Sequence, residues 1–275
     1  MYSGVGFGRM SGYEAQWEKN IYHEKRSFDV CDVVGLCPTT REEFIQKLFS
    51  FPTEPVSATV DLVGMPAIIT AKSDPVYADM YNNATMTAID GMPFVHKARR
   101  KGFNCERCSG PDIMGMVFEE GIRRGSRHYF YGGKNDEVLT KLRANLEAAY
   151  PGIEIVGMYS PPFRELTEEE NDKIVKDINE LKPDFVWVGI GAPKQEMWMW
   201  KHRESIPGTC MLGVGAAFDF LAGSLAKAPA WMENAGIEWL YRLCKEPKRL
   251  WRRYLIGGVK YLFYSAQSGI KHIFK

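Results

Sequence analysis

The chain has 275 residues, 45% of them hydrophobic and 25% charged, with a formal net charge of +1. That length and balance suit one large globular domain, or a domain with an appendage, and exclude wholesale disorder. The neutral total conceals segregation. Residues 240–275 carry nine basic side chains against the single acidic Glu246, a net of +8, which leaves −7 for residues 1–239.

Residues 1–27 are polar and show no period, and read as an arm. Strand-like and helix-like segments then alternate. Phe28–Gly35 reads as a strand, and Thr39–Phe49 as a helix capped by a threonine before its first turn. Ala67–Thr70 (AIIT) reads as a short apolar strand, and Ala84–Ile89 as a weaker one that ends at Asp90-Gly91. Glu119–Arg124 is expected to be helical, His128–Gly132 a strand, Asn135–Tyr150 a helix and Ile153–Met158 a strand. Thr167–Leu181 reads as an amphipathic helix with acidic residues in its first turn. Phe185–Ile190 and Cys210–Val214 are apolar runs of the kind buried in parallel sheets. The alternation predicts an α/β fold: a Rossmann-like, mostly parallel sheet with helices on both faces. From about Leu240 the chain becomes aromatic and basic, a C-terminal helical appendage to a domain spanning residues 28–239.

No stretch approaches the roughly 18–20 uninterrupted apolar residues that cross a bilayer. The first residues lack the basic and apolar regions of a secretory signal. Six cysteines are too sparse for a disulfide scaffold. A reduced, cytoplasmic protein is expected.

Ligands of α/β sheets bind beyond the carboxyl ends of the strands, and three such loops carry unusual chemistry. In Gly189-Ile190-Gly191-Ala192-Pro193-Lys194-Gln195-Glu196, the glycines admit a ligand close to the backbone, Lys194 offers charge for a phosphate, and Gln195 offers a donor and an acceptor. In Gly213-Val214-Gly215-Ala216-Ala217-Phe218-Asp219, bare N–H groups can cradle a diphosphate, while Asp219 suits a helix cap as well as a ligand contact. In Asp90-Gly91-Met92-Pro93, a carboxylate at a strand end can act as a general base, although aspartate is also an ordinary turn residue. Thr70 either shares that rim or caps the next segment.

The pair Cys105 and Cys108 has no second pair at zinc spacing, and the five histidines are scattered. No DxD-type acidic pair is present to hold a metal against a nucleotide diphosphate. In the tail, Trp251, Tyr254, Leu255, Ile256, Tyr261, Leu262 and Phe263 lie among the basic residues, a mixture that favours an anionic membrane surface over nucleic acid. An amphipathic helix packed on the domain is the alternative.

The runs GIGAPKQE, GVGAAFDFLAG, GIEWLYRL and EPKRLWRRYL, with Ala228-Pro229, Trp231, DGMP, CSGPD and YFYGG, resemble the WecG/TagA/CpsF family of bacterial glycosyltransferases (glycosyltransferase family 26). The likeness extends from about Phe28 to Leu255. It implies an inverting transferase that needs no metal or other cofactor. The sugar, a HexNAc or hexose, would pass from a UDP-sugar to a polyprenyl-diphosphate-linked sugar at the inner face of the cytoplasmic membrane. Teichoic acid, common antigen and exopolysaccharide synthesis are the pathways of the family. By position the resemblance makes Asp90 the general base, with Thr70 beside it. Arg107 falls near the donor phosphates, and Gly132, Gly191, Lys194, Gln195, Gly213, Gly215 and Asp219 in the nucleotide-sugar pocket. Arg242, Arg249, Arg252 and Arg253 fall in an appendage that docks on the membrane and helps complete the site. A fold-sharing membrane-surface protein without catalysis and a Rossmann-type oxidoreductase are the rival readings; self-association is left open.

Overall fold

The computed structural model describes residues 27–273 apart from Pro52. Apart from Ser27, the arm expected over residues 1–27 lies outside the described residues.

The chain opens with a hairpin, β1 (Phe28–Val30) and β2 (Val34–Leu36), where a single strand over 28–35 was expected. Cys31 and Asp32 turn it with left-handed φ values of 56° and 53°. A period-2 apolar pattern does not distinguish one strand from two that fold back on each other. Helix α1 (Arg41–Leu48) follows, its start closed by a capping box between Thr40 and Glu43.

The first sheet-forming strand is β3 (Ala58–Val63), not AIIT. Thr59 and Asp61 interrupt its apolar run and hide it from a reading by hydrophobicity, yet both are buried. AIIT instead belongs to helix α2 (Met65–Ser73), which Pro66 helps to start in its first turn. Two further unexpected helices flank the next strand: α3 (Pro75–Asn83) precedes β4 (Met86–Ile89) and α4 (Met92–Arg100) follows it. The helix expected at Glu119 begins earlier, as α5 (Gly110–Arg124), and Gly125 ends it in the left-handed conformation. Then come β5 (Arg127–Gly132), α6 (Asp136–Ala149), β6 (Glu154–Tyr159), α7 (Glu168–Leu181), β7 (Phe185–Gly189), α8 (Lys194–His202) and β8 (Cys210–Gly213).

Strands β3 to β8 form one six-stranded sheet in the order β4-β3-β8-β7-β5-β6, parallel at every pairing. Both faces are covered. Along β7, Phe185 and Trp187 enter a core with Phe44, Phe118 and Leu142, while Val186 and Val188 enter one with Ile174, Ile178 and Met199. This is the Rossmann-like α/β architecture expected. The chain winds from β3 to one edge and from β5 to the other, so the carboxyl ends of the central strands border a crevice.

Beyond β8 the helices α9 (Ala217–Leu221), α10 (Ala230–Asn234), α11 (Glu238–Lys245) and α12 (Pro247–Trp251) lead through a π-helical stretch, Arg252–Ile256, into α13 (Gly257–Ile273). The tail folds back onto the domain. Tyr261 and Tyr264 pack against the core of the hairpin and α2–α4, and the Tyr261 and Phe94 rings lie 5.6 Å apart. Among the described residues no helix is long and apolar enough to cross a membrane.

Candidate active site

Four strand ends converge on a polar cavity of about 210 Å³. β3 contributes Leu62 and Gly64, β4 contributes Asp90, the loop after β7 contributes Gly191, and the loop after β8 contributes Gly213 and Gly215. Asp90 is fixed there because its N–H donates to the Val63 carbonyl at 3.0 Å, which extends the β3–β4 ladder by one residue. Arg107 Nε donates to the Asp90 carbonyl at 2.8 Å and lies 3.2 Å from Oδ1, and its Nη2 lies 2.8 Å from Glu238 Oε2. Desolvation inside the cavity pushes the Asp90 carboxyl up, against the opposing pull of Arg107, while 35% of its side chain stays open to the cavity. A carboxylate with a raised pKa is a stronger base, and its unconstrained oxygen Oδ2 stands 4.0 Å from where a Cβ on Gly64 would sit.

Gln195 joins the two glycine loops. It is 4% exposed, its Oε1 accepts the Gly215 N–H at 3.0 Å, and its Nε2 donates to Glu196 Oε1 at 3.0 Å. Gly213 is required by this arrangement, because a Cβ there would stand 2.8 Å from Gln195 Nε2. The tail supplies Arg242, Arg249 and Arg253 to the same wall, and Arg242 Nε is buried with no hydrogen-bond partner among the described residues.

A second, more apolar cavity of about 400 Å³ adjoins the first. Met65, Met92, Trp239, Tyr254 and Leu262 line it, and it shares Asp90, Arg107, Glu238, Arg242 and Arg253 with its neighbour. Asp90 therefore stands where the two spaces meet.

Several expected positions lie elsewhere. Thr70 is in α2, its hydroxyl donates to the Pro66 carbonyl at 3.0 Å, and it lines neither cavity. The strand end beside Asp90 is that of β3, where Leu62 and Gly64 stand. Lys194 is exposed at the start of α8 and also lines neither cavity. Gly132 serves the sheet: a Cβ there would meet the Gly189 carbonyl at 2.5 Å. Asp219 lies behind the wall, 3.4 Å from Lys134 Nζ. Arg252 turns outward over the Trp251 ring. Cys105 and Cys108 are buried free thiols, and burial pushes Cys108 up to about 12. Among the described residues no three His, Cys, Asp or Glu side chains gather as a metal-binding set.

The family model for the glycosyl transferase WecG/TagA/CpsF family matches residues 30–273. The chain belongs to this family. It is a glycosyltransferase, which sets aside the oxidoreductase reading. The transferase is similar to the N-acetylglucosaminyldiphosphoundecaprenol N-acetyl-beta-D-mannosaminyltransferase of Bacillus subtilis (strain 168), 28% identical over 201 residues that cover 73% of this chain and 76% of that protein. Glu238 and Lys227 also line the polar cavity without a role read from sequence, as does Glu196, the last residue of GIGAPKQE. Glu238 lies within GIEWLYRL, but the fold-back that sets it against Arg107 leaves no trace in local sequence.

Proposed function

We propose that the transferase moves a sugar from a UDP-sugar to a polyprenyl-diphosphate-linked sugar, with inversion and without a metal, in cell-surface polysaccharide synthesis. One observation carries the reading: a polar, arginine-walled cavity and an apolar one meet at Asp90. A donor that lives in water and an acceptor that lives in lipid need such a junction. The name of the Bacillus subtilis relative describes transfer to a diphosphoundecaprenol-linked sugar, and the same acceptor class and an N-acetylmannosamine donor are the first candidates here.

In this mechanism Asp90 Oδ2 takes the proton of the acceptor hydroxyl as its oxygen bonds to the anomeric carbon. The bond from that carbon to the phosphate oxygen breaks on the opposite face, and UDP leaves with the electron pair. Positioned proton transfer contributes roughly 100- to 10,000-fold. Charge developing on the diphosphate is met by Arg242 and Arg253, with Arg249 beside them on Glu246; the Val214 and Gly215 N–H groups, expected from sequence to cradle it, are already used by the Val188 carbonyl and Gln195. Lys194 and Arg107 were the cations expected from sequence. Arg107 is already engaged by Asp90 and Glu238, so its part is to hold the base.

The acceptor reaches the apolar cavity from an anionic membrane at the inner face. Trp251, Leu255, Val259 and Phe263, spaced four residues apart, are exposed on the tail, with Val259 at 69% and Phe263 at 64%. Leu262 links this stripe to the cavity lining. Arg252 and Lys260 flank the stripe, and each basic group near an anionic leaflet contributes on the order of 1 kcal/mol. The test is UDP release over a panel of UDP-sugars with a short-chain lipid-diphosphate-sugar acceptor, in the presence and absence of a chelator. Acceptor-dependent UDP release that survives chelation supports the reading. Binding to anionic liposomes without UDP release from any donor would favour a membrane-surface protein that keeps the fold.

A further inference from the structure

The floor of the polar cavity holds a carboxylate for which the mechanism above has no role. Glu196, in the first turn of α8, is 4% exposed and lines the cavity with Leu62, Gly64 and Ala67. Its Oε1 is occupied by Gln195 Nε2, and Gln195 is locked in turn by the Gly215 N–H. Its Oε2 is buried and has no hydrogen-bond partner among the described residues. Buried polar atoms in native proteins are almost always paired, so an unpaired one on a residue that lines a ligand cavity calls for a partner. The groups that face Glu196 are Tyr77 and Tyr81 of α3, Asp61 of β3 beyond Tyr81, and Arg253 of the π-helical stretch.

Glu196 and Asp90 line the same cavity. Leu62, Gly64 and Ala67 lie along the cavity surface that Glu196 shares, and Gly64 adjoins Asp90 Oδ2. The anomeric carbon must lie against Asp90, so the rest of the donor sugar is the part of the ligand placed to meet Glu196. We propose that Glu196 binds and orients the sugar of the nucleotide-sugar donor, its Oε2 accepting a hydrogen bond from a sugar hydroxyl or N–H. This rests on the UDP-sugar reading above. It adds a specificity-determining contact in the first turn of α8, on the part of the cavity that Arg253 of the tail also faces.

Burial pushes the Glu196 carboxyl up to about 7. Near neutral pH the contact therefore titrates: the ionised oxygen accepts from the sugar, and the protonated form loses that acceptor.

Glu196→Gln tests the contact, because it keeps the shape and the oxygen that serves Gln195 but replaces the free acceptor with an amide donor. Titration calorimetry with UDP and with UDP-N-acetylmannosamine separates the parts of the donor. The expected result is UDP affinity within about twofold of wild type and UDP-N-acetylmannosamine affinity lower by about 10-fold or more, the loss of one hydrogen bond to a charged group. Wild-type donor KM should climb as pH falls through about 7, and the variant's should stay flat. Glu196→Asp, which keeps the charge but withdraws it by one methylene, should fall between the two. Equal weakening of UDP and UDP-N-acetylmannosamine would overturn the sugar assignment. Unchanged donor affinity together with an unchanged pH profile would overturn any contact. A wild-type protein that binds no UDP would refute the donor reading itself, an outcome distinct from both.

Discussion

Asp90→Asn is the most informative single perturbation, because it tests chemistry and stability at one atom. The substitution keeps the size of the side chain and its backbone contacts, including the 3.0 Å bond from its N–H to Val63. It leaves Arg107 paired with Glu238 at 2.8 Å, so the site loses a base without collapsing. Loss of positioned proton transfer should cost roughly 100- to 10,000-fold in kcat, equivalent to about 3 to 5 kcal/mol of barrier. UDP affinity should stay within about twofold, since the lost interaction belongs to the transition state. Stability should move the other way. Burial raises the Asp90 carboxyl above its ordinary 3.8, so the native state holds that proton more tightly than the unfolded chain does. A group of this kind favours folding below its unfolded pKa, and the benefit is lost as pH rises through the folded one. The variant has no such penalty. Its melting temperature should exceed that of wild type at pH 8, and the gap should close towards pH 4. The assays are UDP release with the lipid-linked acceptor and thermal unfolding across that pH range. Wild-type-like turnover would refute Asp90 as the base, and a melting temperature below wild type at pH 8 would refute the account of its burial.

Three other outcomes follow from the geometry. Gly213→Ala places a Cβ 2.8 Å from Gln195 Nε2, so Gln195 must release Gly215 or Glu196; steady-state kinetics should show donor KM raised by about 5-fold, at about 1 kcal/mol for the hydrogen bond lost. Thr70→Ala should leave turnover within about twofold, because among the described residues its half-buried hydroxyl bonds within α2, and the loss of that bond should cost about 1 kcal/mol in a melt. A large loss of kcat there would restore Thr70 to the site. The double substitution Leu255→Glu with Val259→Glu puts two charges on the exposed tail stripe; cosedimentation with anionic liposomes should fall at least about 10-fold with an unchanged melting temperature. Wild-type binding should also weaken as salt rises, because the flanking cations are screened.

Much of the site was legible before the fold. DGMP, GIGAPKQE and GVGAAFD each follow an apolar run, and in a parallel sheet such loops must lie at one edge, so Asp90, Gly191, Gln195, Gly213 and Gly215 were placed together by order alone. The segregation of +8 against −7 likewise marked the tail as a separate electrostatic element. Only tertiary structure decided which strand end borders Asp90. β3 carries Thr59 and Asp61 inside the fold, and local hydrophobicity therefore favoured AIIT, whose helix buries Ala67, Ile68 and Ala71 instead. It also decided which cations serve the site. A lysine one residue before Gln195 looks equivalent in sequence, but successive residues on a helix point about 100° apart, so Gln195 faces the cavity while Lys194 faces solvent. Arginines some fifty residues further along reach the cavity because the tail folds back over it, with Tyr261 and Tyr264 burying their rings against the domain.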